Sequence, residues 1–187
     1  MSEFKKIIKN LESLNSKKNF SAILTLVENL EKNIQELPQI LIFSGWANLN
    51  LNKIEEAIHL LEKGIQQDPS NHDLLTNCGK AYYVKKDFNK SILLLEQSLN
   101  INSNNVDAVI CLSRALFESG KLKNSFKLLE TAINLNLKNP HYYFEISSNF
   151  FKIKDYNLAI KFCKKTIELN PKFPNAYLNL GINYQLI

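Results

Sequence analysis

A 34-residue period runs through most of this chain and constrains its fold more than any other feature. Successive steps of 34 residues meet small side chains at Gly45, Gly79, Ser113, Ser147 and Gly181. Two further series share the phase, one small (Ala57, Ser91, Ser125, Ala159) and one larger and apolar (Leu61, Leu95, Leu129, Cys163). A fixed period of this length is typical of stacked repeats that cannot bury their apolar faces alone. The chain is therefore predicted to be one continuous array.

Within each period the apolar residues have helical spacing, and turn residues separate two such stretches. Pro38 suits the first turn of a helix because its missing N–H would have no partner there, and Pro69 closes the same unit. Each unit is thus predicted to hold a first helix, A, and a second helix, B. The predicted pairs are 38–51 with 54–67, 72–85 with 88–101, 106–118 with 122–135, and 140–152 with 156–169. A weaker pair is predicted at 4–15 and 20–30.

The period, the small residues of helices A and B and the closing Pro resemble the tetratricopeptide repeat (TPR) family. That resemblance implies an all-α fold, a right-handed superhelical solenoid of antiparallel helix pairs. The predicted units are a divergent capping repeat (4–37), clear repeats (38–71, 72–105, 106–139, 140–173) and the first helix of a sixth repeat (174–187). The third clear copy departs most, since Leu137 stands where Pro would close helix B. Its last turn is predicted to end less sharply.

Composition excludes several classes of protein. The net charge of +5 is scattered along the chain, which argues against a nucleic-acid partner. Cys78, Cys111 and Cys163 lie inside apolar helical patterns and are interpreted as core residues in a reducing, cytoplasmic compartment. No apolar run approaches the roughly 18 residues of a membrane span, and no secretory signal is visible.

Catalytic motifs are missing from the sequence. None of His59, His72 and His141 is paired with a Cys or carboxylate at metal-ligand spacing, and no Gly-rich phosphate loop occurs. The chain is therefore predicted to be no enzyme, with no catalytic residue, metal or cofactor.

In the TPR family one face of each helix A lines a concave groove, and the resemblance implies the same here. The predicted peptide-binding residues are Trp46, Lys80, Tyr83, Arg114, Phe117, Phe144 and Phe151. The same projection also passes through Ile42, Leu49, Thr76 and Ile110. An apolar ladder beside two cations suits an extended or helical peptide with apolar anchors and some acidic character. Packing between neighbouring A helices is the alternative interpretation of the rings.

Some family members carry a ladder of groove-side asparagines just before the Gly of helix A. Asn77 and Asn179 match that place, whereas Phe43, Cys111 and Glu145 do not. The resemblance therefore implies at most a partial ladder.

Three functions remain open. The first is a non-catalytic scaffold that binds a peptide segment of another protein. The second is an N-terminal substrate-recruiting module of a larger enzyme of glycosyltransferase or sulfotransferase type, which rests on fold analogy alone. The third is self-association through an apolar C-terminal edge formed by Tyr177, Leu180 and Tyr184.

Overall fold

The computed structural model describes residues 3–134 and 138–187, and every regular element in those two segments is an α-helix. The chain divides into two compact units, Met1–Ser103 and Asn104–Ile187. The predicted all-α fold class is confirmed.

The first unit consists of helix pairs and one short helix. It contains α1 (Glu3–Ser16), α2 (Phe20–Glu28), α3 (Lys32–Gln35), α4 (Pro38–Asn50), α5 (Ile54–Gln67), α6 (His72–Val84) and α7 (Phe88–Ile101). The one-turn helix α3 was not predicted. Its Gln35 side chain donates hydrogen bonds to the carbonyl oxygens of Glu28 and Leu30, so it pairs acceptors in the connection after α2.

The second unit repeats the arrangement with α8 (Val106–Glu118), α9 (Leu122–Asn134), α10 (Pro140–Lys152), α11 (Tyr156–Leu169) and α12 (Pro174–Gln185). Apart from α3, the helices begin and end within two residues of their predicted bounds. The predicted irregular end of the third clear copy, at Leu135 and Leu137, lies outside the described residues.

Side-chain caps explain why the helices begin where they do. Asn71, Asn105 and Asn139, one period apart, each accept a hydrogen bond from a backbone N–H in the first turn of an A helix. Asn19, Asp87 and Asp155 do the same for helices α2, α7 and α11. A polar side chain at this position pairs a donor that the helix leaves without a partner.

The turn between helix A and helix B also has a repeated conformation. Lys18, Asn52, Lys86, Gly120 and Lys154 all have positive φ, between 54° and 80°, and follow one another at 34-residue intervals. The first, divergent pair therefore has the same turn geometry as the later pairs. A positive φ brings the Cβ of any other residue too close to the backbone, so glycine adopts this conformation with the least strain.

The two helices of a pair cross closely at the small positions, as predicted. A Cβ built on Gly45 would lie 2.5 Å from Leu61 Cγ, and one built on Gly79 would lie 2.7 Å from Leu95 Cγ. Both leucines are fully buried. Glycine on helix A therefore makes room for a leucine on helix B of the same pair.

In three of the pairs a serine hydroxyl also bridges this crossing. Ser91 Oγ donates to the carbonyl of Gly79 at 2.8 Å, and Ser125 Oγ donates to the carbonyl of Ser113 at 2.7 Å. In the α10–α11 pair the direction is reversed, because Ser147 of helix A donates to the carbonyl of Ala159 at 2.9 Å. A buried hydroxyl is thereby paired at each of these crossings.

The core of the first unit lies between successive helices. One cluster joins α1, α2 and α4 through Leu11, Ile23, Val27, Ile40 and Ala47. The next joins helix α5 of one pair to helix α6 of the following pair through Ile58, Leu61, Leu74, Cys78, Ala81 and Tyr82. Each pair thus buries its apolar surface against its neighbour, which is the arrangement that stacked repeats require.

Candidate peptide-binding face

In the first unit, the A-helix face presents Trp46 from α4 and Lys80 from α6. Lys80 Nζ lies 5.3 Å from the centroid of the Trp46 ring, and both side chains are partly buried. This is a cation–π contact between successive A helices. The sequence offered Lys80 no partner within the chain, and the structure supplies one.

In the second unit, Arg114 of α8 pairs with Glu145 of α10. Arg114 Nη1 lies 3.1 Å from Glu145 Oε2, with side chains 35% and 24% exposed. His141 Nε2 lies 3.8 Å from the other Glu145 oxygen. The sequence had singled out Glu145 only as a mismatch to the asparagine ladder. It did not predict the pair, because a spacing of 31 residues carries no local signal.

Tyr83 and Phe151 occupy equivalent places two periods apart and make the same kind of contact. The Tyr83 ring lies 5.8 Å from Phe88 at an interplanar angle of 53°, and the Phe151 ring lies 5.9 Å from Tyr156 at 55°. In each case the partner is the first residue of helix B. Phe151 nevertheless stays 38% exposed and Tyr83 is only partly buried. Each ring therefore combines a packing contact with an accessible face.

The other two predicted aromatic residues lie on α8 and α10. Lys152 Nζ lies 5.8 Å from the Phe117 ring centroid and 2.7 Å from Glu118 Oε1. Phe144 packs 5.0 Å from Phe173, a ring that the sequence interpretation missed, and 6.5 Å from His141. Phe117 and Phe144 are both partly buried.

The wider projection was wrong at two positions, Thr76 and Ile110, because both side chains are buried. Ile42 and Leu49 pack against the cluster that joins α5 to α6. Thr76 is 3% exposed and Ile110 is 5% exposed. The Thr76 hydroxyl donates to the His72 carbonyl and lies 2.7 Å from Ser98 Oγ on helix α7. Thr76 and Ile110 therefore belong to the packed side of helix A, because a projection by repeat position does not specify helix rotation.

The two ladder-like asparagines are both partly buried. Asn77 Nδ2 donates to the carbonyl of Asp73 at 2.9 Å on its own helix. The backbone carbonyl of Asn179 accepts a hydrogen bond from Asn183 Nδ2 at 2.6 Å. Their role in binding stays a prediction.

Burial raises the pKa of titratable groups in both units. Burial, with the Glu62 charge nearby, raises the pKa of the Cys78 thiol to about 12. Burial, with the Asp107 charge and hydrogen bond, raises the pKa of Tyr142 to about 12. Burial is also the largest cause of the raised pKa of Tyr82, whose hydroxyl donates to Glu62 Oε1 at 2.6 Å. A thiol with a raised pKa is a poor nucleophile, so Cys78 acts as a core residue.

Within residues 3–134 and 138–187, no cluster of His, Cys, Asp or Glu is arranged to hold a metal ion. In the same segments, no helix has the length and apolar character needed to span a bilayer.

Comparisons with known proteins agree on the repeat. A family model described as TPR repeat matches residues 48–86, and one described as tetratricopeptide repeat matches residues 140–173. No curated protein matches this sequence significantly.

Solved structures share the architecture at low sequence identity. A thermophilic TPR protein of Thermus thermophilus, TTC0263, is similar with a TM-score of 0.86 and 14% identity, covering 97% of this chain and 98% of that one. A MamA crystal structure has a TM-score of 0.62 and 24% identity over 80% and 81% of the two chains. A chain of the APC/C hetero-tetramer Cut9–Hcn1 has a TM-score of 0.79 and 17% identity, covering 94% of this chain and 35% of that one. At these identities the likeness concerns the fold alone.

Proposed function

The chain is a tetratricopeptide-repeat protein, and from this premise we propose that it is a non-catalytic scaffold that binds a peptide segment of a partner protein. The A-helix faces of its two units are the proposed binding surfaces. Trp46, Lys80 and Tyr83 belong to the first unit, and Arg114, Phe117, Phe144 and Phe151 belong to the second.

Partial exposure of aromatic rings in repeat register is the observation that carries this proposal. Tyr83 and Phe151 are each held on one side by the first residue of helix B, which fixes the ring at little further entropic cost. Phe151 is 38% exposed and Tyr83 is only partly buried, so part of each side chain is accessible. Rigid, partly exposed aromatic side chains are typical anchors for a peptide.

The charges on these faces favour a partner with some acidic character. An acidic side chain near Lys80 would gain a charge-assisted contact while Trp46 continues to hold the lysine stem. At Arg114 it would have to replace or share Glu145. Apolar anchors are therefore the main requirement of the proposal, and acidic character is secondary.

The proposal is tested with peptides selected from a displayed random library against the full chain. Lys80→Glu changes the first face and Phe151→Ser changes the second. We expect peptides selected on one face to lose at least about tenfold in affinity to the corresponding variant, since truncating an anchor costs about 1–2 kcal/mol or more.

Leu93→Ser is the matched control, because Leu93 is 56% exposed and lies on helix B α7, away from the A-helix faces. It removes an exposed apolar side chain as Phe151→Ser does. Circular dichroism establishes that all variants remain folded. Selected peptides that bind both face variants as tightly as the control would show that the binding surface lies elsewhere.

Self-association is a second candidate, favoured by one observation on α12. A Cβ built on Gly181 would meet no atom within 4 Å, whereas the equivalent Gly45 and Gly79 are covered by leucines. Around it Tyr177 is 50% exposed and Tyr184 49% exposed. The α12 surface proposed for self-association, defined by Tyr177, Leu180 and Tyr184, would pair with the same surface of a second copy.

Sedimentation velocity over a range of concentrations tests this candidate. Tyr184, 49% exposed on α12, is changed to Lys, with Leu93→Lys as the control on α7. We expect a concentration-dependent dimer that Tyr184→Lys abolishes and Leu93→Lys preserves. A monomer at all concentrations excludes the second candidate and leaves the peptide-binding proposal unaffected.

The proposal places the protein in the cytoplasm. Cys78, Cys111 and Cys163 form no disulfide, and each is buried. Buried cysteine thiols of this kind fit a reducing compartment.

A further inference from the structure

Lysines that are scattered along the sequence gather at one edge of the first unit. Every helix pair reverses direction at its A–B turn, so the three turns of this unit lie on the same side. Lys85, in the turn between α6 and α7, places its Nζ 2.8 Å from Oε2 of Glu55, in the first turn of α5. This ion pair joins the α6–α7 turn to the beginning of α5. The exposed lysines of these turns are Lys17, Lys18, Lys53, Lys85 and Lys86.

Acidic side chains at this edge offset only part of the charge. Glu55 is engaged by Lys85, and Asp87 Oδ1 accepts the backbone N–H of Lys90 as the cap of α7. Glu56 is the remaining carboxylate in the first turn of α5. The turn lysines therefore outnumber the acids beside them.

Two of these lysines occupy backbone positions that disfavour them. Lys18 and Lys86 have φ of 54° and 68°, in the left-handed region. The equivalent turns of the second unit use Gly120 and Lys154. A glycine at residues 18 and 86 would remove backbone strain, whereas a lysine beside a helix C-terminus gains a favourable interaction with the helix dipole. What each lysine adds is an exposed positive charge.

The same edge also exposes aliphatic side chains. Leu51, the C-cap residue of α4, is 36% exposed, and Val84, the last residue of α6, is 45% exposed. An anionic bilayer surface accepts both kinds of group, since lysines reach the headgroups while aliphatic side chains enter the boundary with the acyl chains. A linear polyanion would contact the lysines and leave the aliphatic residues unused.

We infer that this basic turn edge, defined by Lys17, Lys18, Leu51, Lys53, Val84, Lys85 and Lys86, is a peripheral binding surface for an anionic phospholipid bilayer. It shares no residue with the proposed peptide-binding residues of the same unit, Trp46, Lys80 and Tyr83. Each activity can therefore be tested with its own substitutions.

Co-sedimentation with phosphatidylcholine vesicles, with and without phosphatidylserine, tests the inference at low ionic strength. The informative variant is Lys18→Gly with Lys86→Gly, because glycine relieves backbone strain and loss of binding cannot then result from unfolding. We expect binding only to vesicles that contain phosphatidylserine. The double variant should bind them about 25-fold more weakly, at about fivefold for each lysine.

Asn52→Gly is the matched control, since it changes the same turn position in the same unit without changing charge. It should bind as the wild type does. Absence of wild-type binding to phosphatidylserine vesicles, or equal binding by the double-glycine variant, would overturn the inference.

A second variant distinguishes a bilayer from a linear polyanion. Leu51→Ser with Val84→Ser should weaken vesicle binding by about fivefold or more, because apolar burial contributes to interfacial binding. Polyglutamate and single-stranded DNA serve as the competing probes. Tighter binding to either polymer than to vesicles, unchanged by the serine substitutions, would assign the edge to that polymer and refute the bilayer.

Discussion

Because helices A and B cross closely, Gly→Ala is expected to have opposite effects on the free energy of unfolding at two equivalent repeat positions. Gly45 and Gly181 occupy the same repeat position, each in the interior of an A helix. A Cβ at Gly45 would lie 2.5 Å from Leu61 Cγ and 2.8 Å from its Cδ2, whereas a Cβ at Gly181 would meet nothing within 4 Å. Gly→Ala at both positions therefore separates helix propensity from packing.

Both substitutions gain about 1 kcal/mol of helix propensity, because alanine loses less backbone entropy than glycine. At Gly181 this gain should appear as a rise of about 0.5–1 kcal/mol in the free energy of unfolding. At Gly45 the methyl group must displace the branch point of a fully buried leucine, and overpacking of this kind costs about 1–3 kcal/mol. Gly45→Ala should therefore reduce stability by up to about 2 kcal/mol.

Urea unfolding followed by circular dichroism measures both variants, and the fluorescence of the single tryptophan, Trp46, reports on the first unit. Leu61→Ala provides the second arm of a double-mutant cycle. With the leucine removed, Gly45→Ala should become neutral or stabilising, so the two substitutions should couple strongly. A Gly45→Ala variant as stable as Gly181→Ala would refute the close crossing, as would strictly additive effects in the cycle.

Three further outcomes follow from local features. Lys86→Gly should raise the free energy of unfolding by about 0.5–1 kcal/mol in urea titrations, and Asn52→Gly by less, because asparagine tolerates left-handed backbone better than lysine. Ser125→Ala should lower it by about 0.5–1.5 kcal/mol, since the hydroxyl that bridges to the Ser113 carbonyl is lost; Ser119→Ala, outside the crossing, is the control. The buried Cys78 thiol keeps its proton to about pH 12 in the folded chain, against an ordinary pKa of 9.0. The contribution of Cys78 to folding stability should therefore be constant below pH 9 and fall above it by up to about 1.4 kcal/mol per pH unit, so stability should fall less steeply above pH 9 in Cys78→Ala.

Helix bounds and the repeat itself could be predicted because their causes are local. The caps at Asn71 and Asp155 each act within three residues of the helix they begin. The left-handed turn residues recur at a fixed place between helix A and helix B. Gly45 and Gly79 were correctly placed at the crossing because only a small side chain fits between two closely packed helices.

The functional face was only partly predictable. Trp46, Lys80 and Arg114 do lie on partly exposed parts of A helices, but their partners stand 31 to 34 residues away. Thr76 and Ile110 were projected onto the face and are buried. A rotation of a fraction of a turn moves a residue from the exposed side of a helix to its packed side, and repeat spacing alone does not specify that rotation.

The sequence by itself determined the all-α class, the 34-residue unit and the close approach of helices at glycine, because these depend on helical periodicity, capping and side-chain volume. The tertiary structure decided which cations are already engaged, as Lys80 is by Trp46 and Arg114 by Glu145. It also decided that separate lysines share one edge of the first unit. Those properties depend on the offset and rotation between neighbouring helices, which the packing of whole side chains sets.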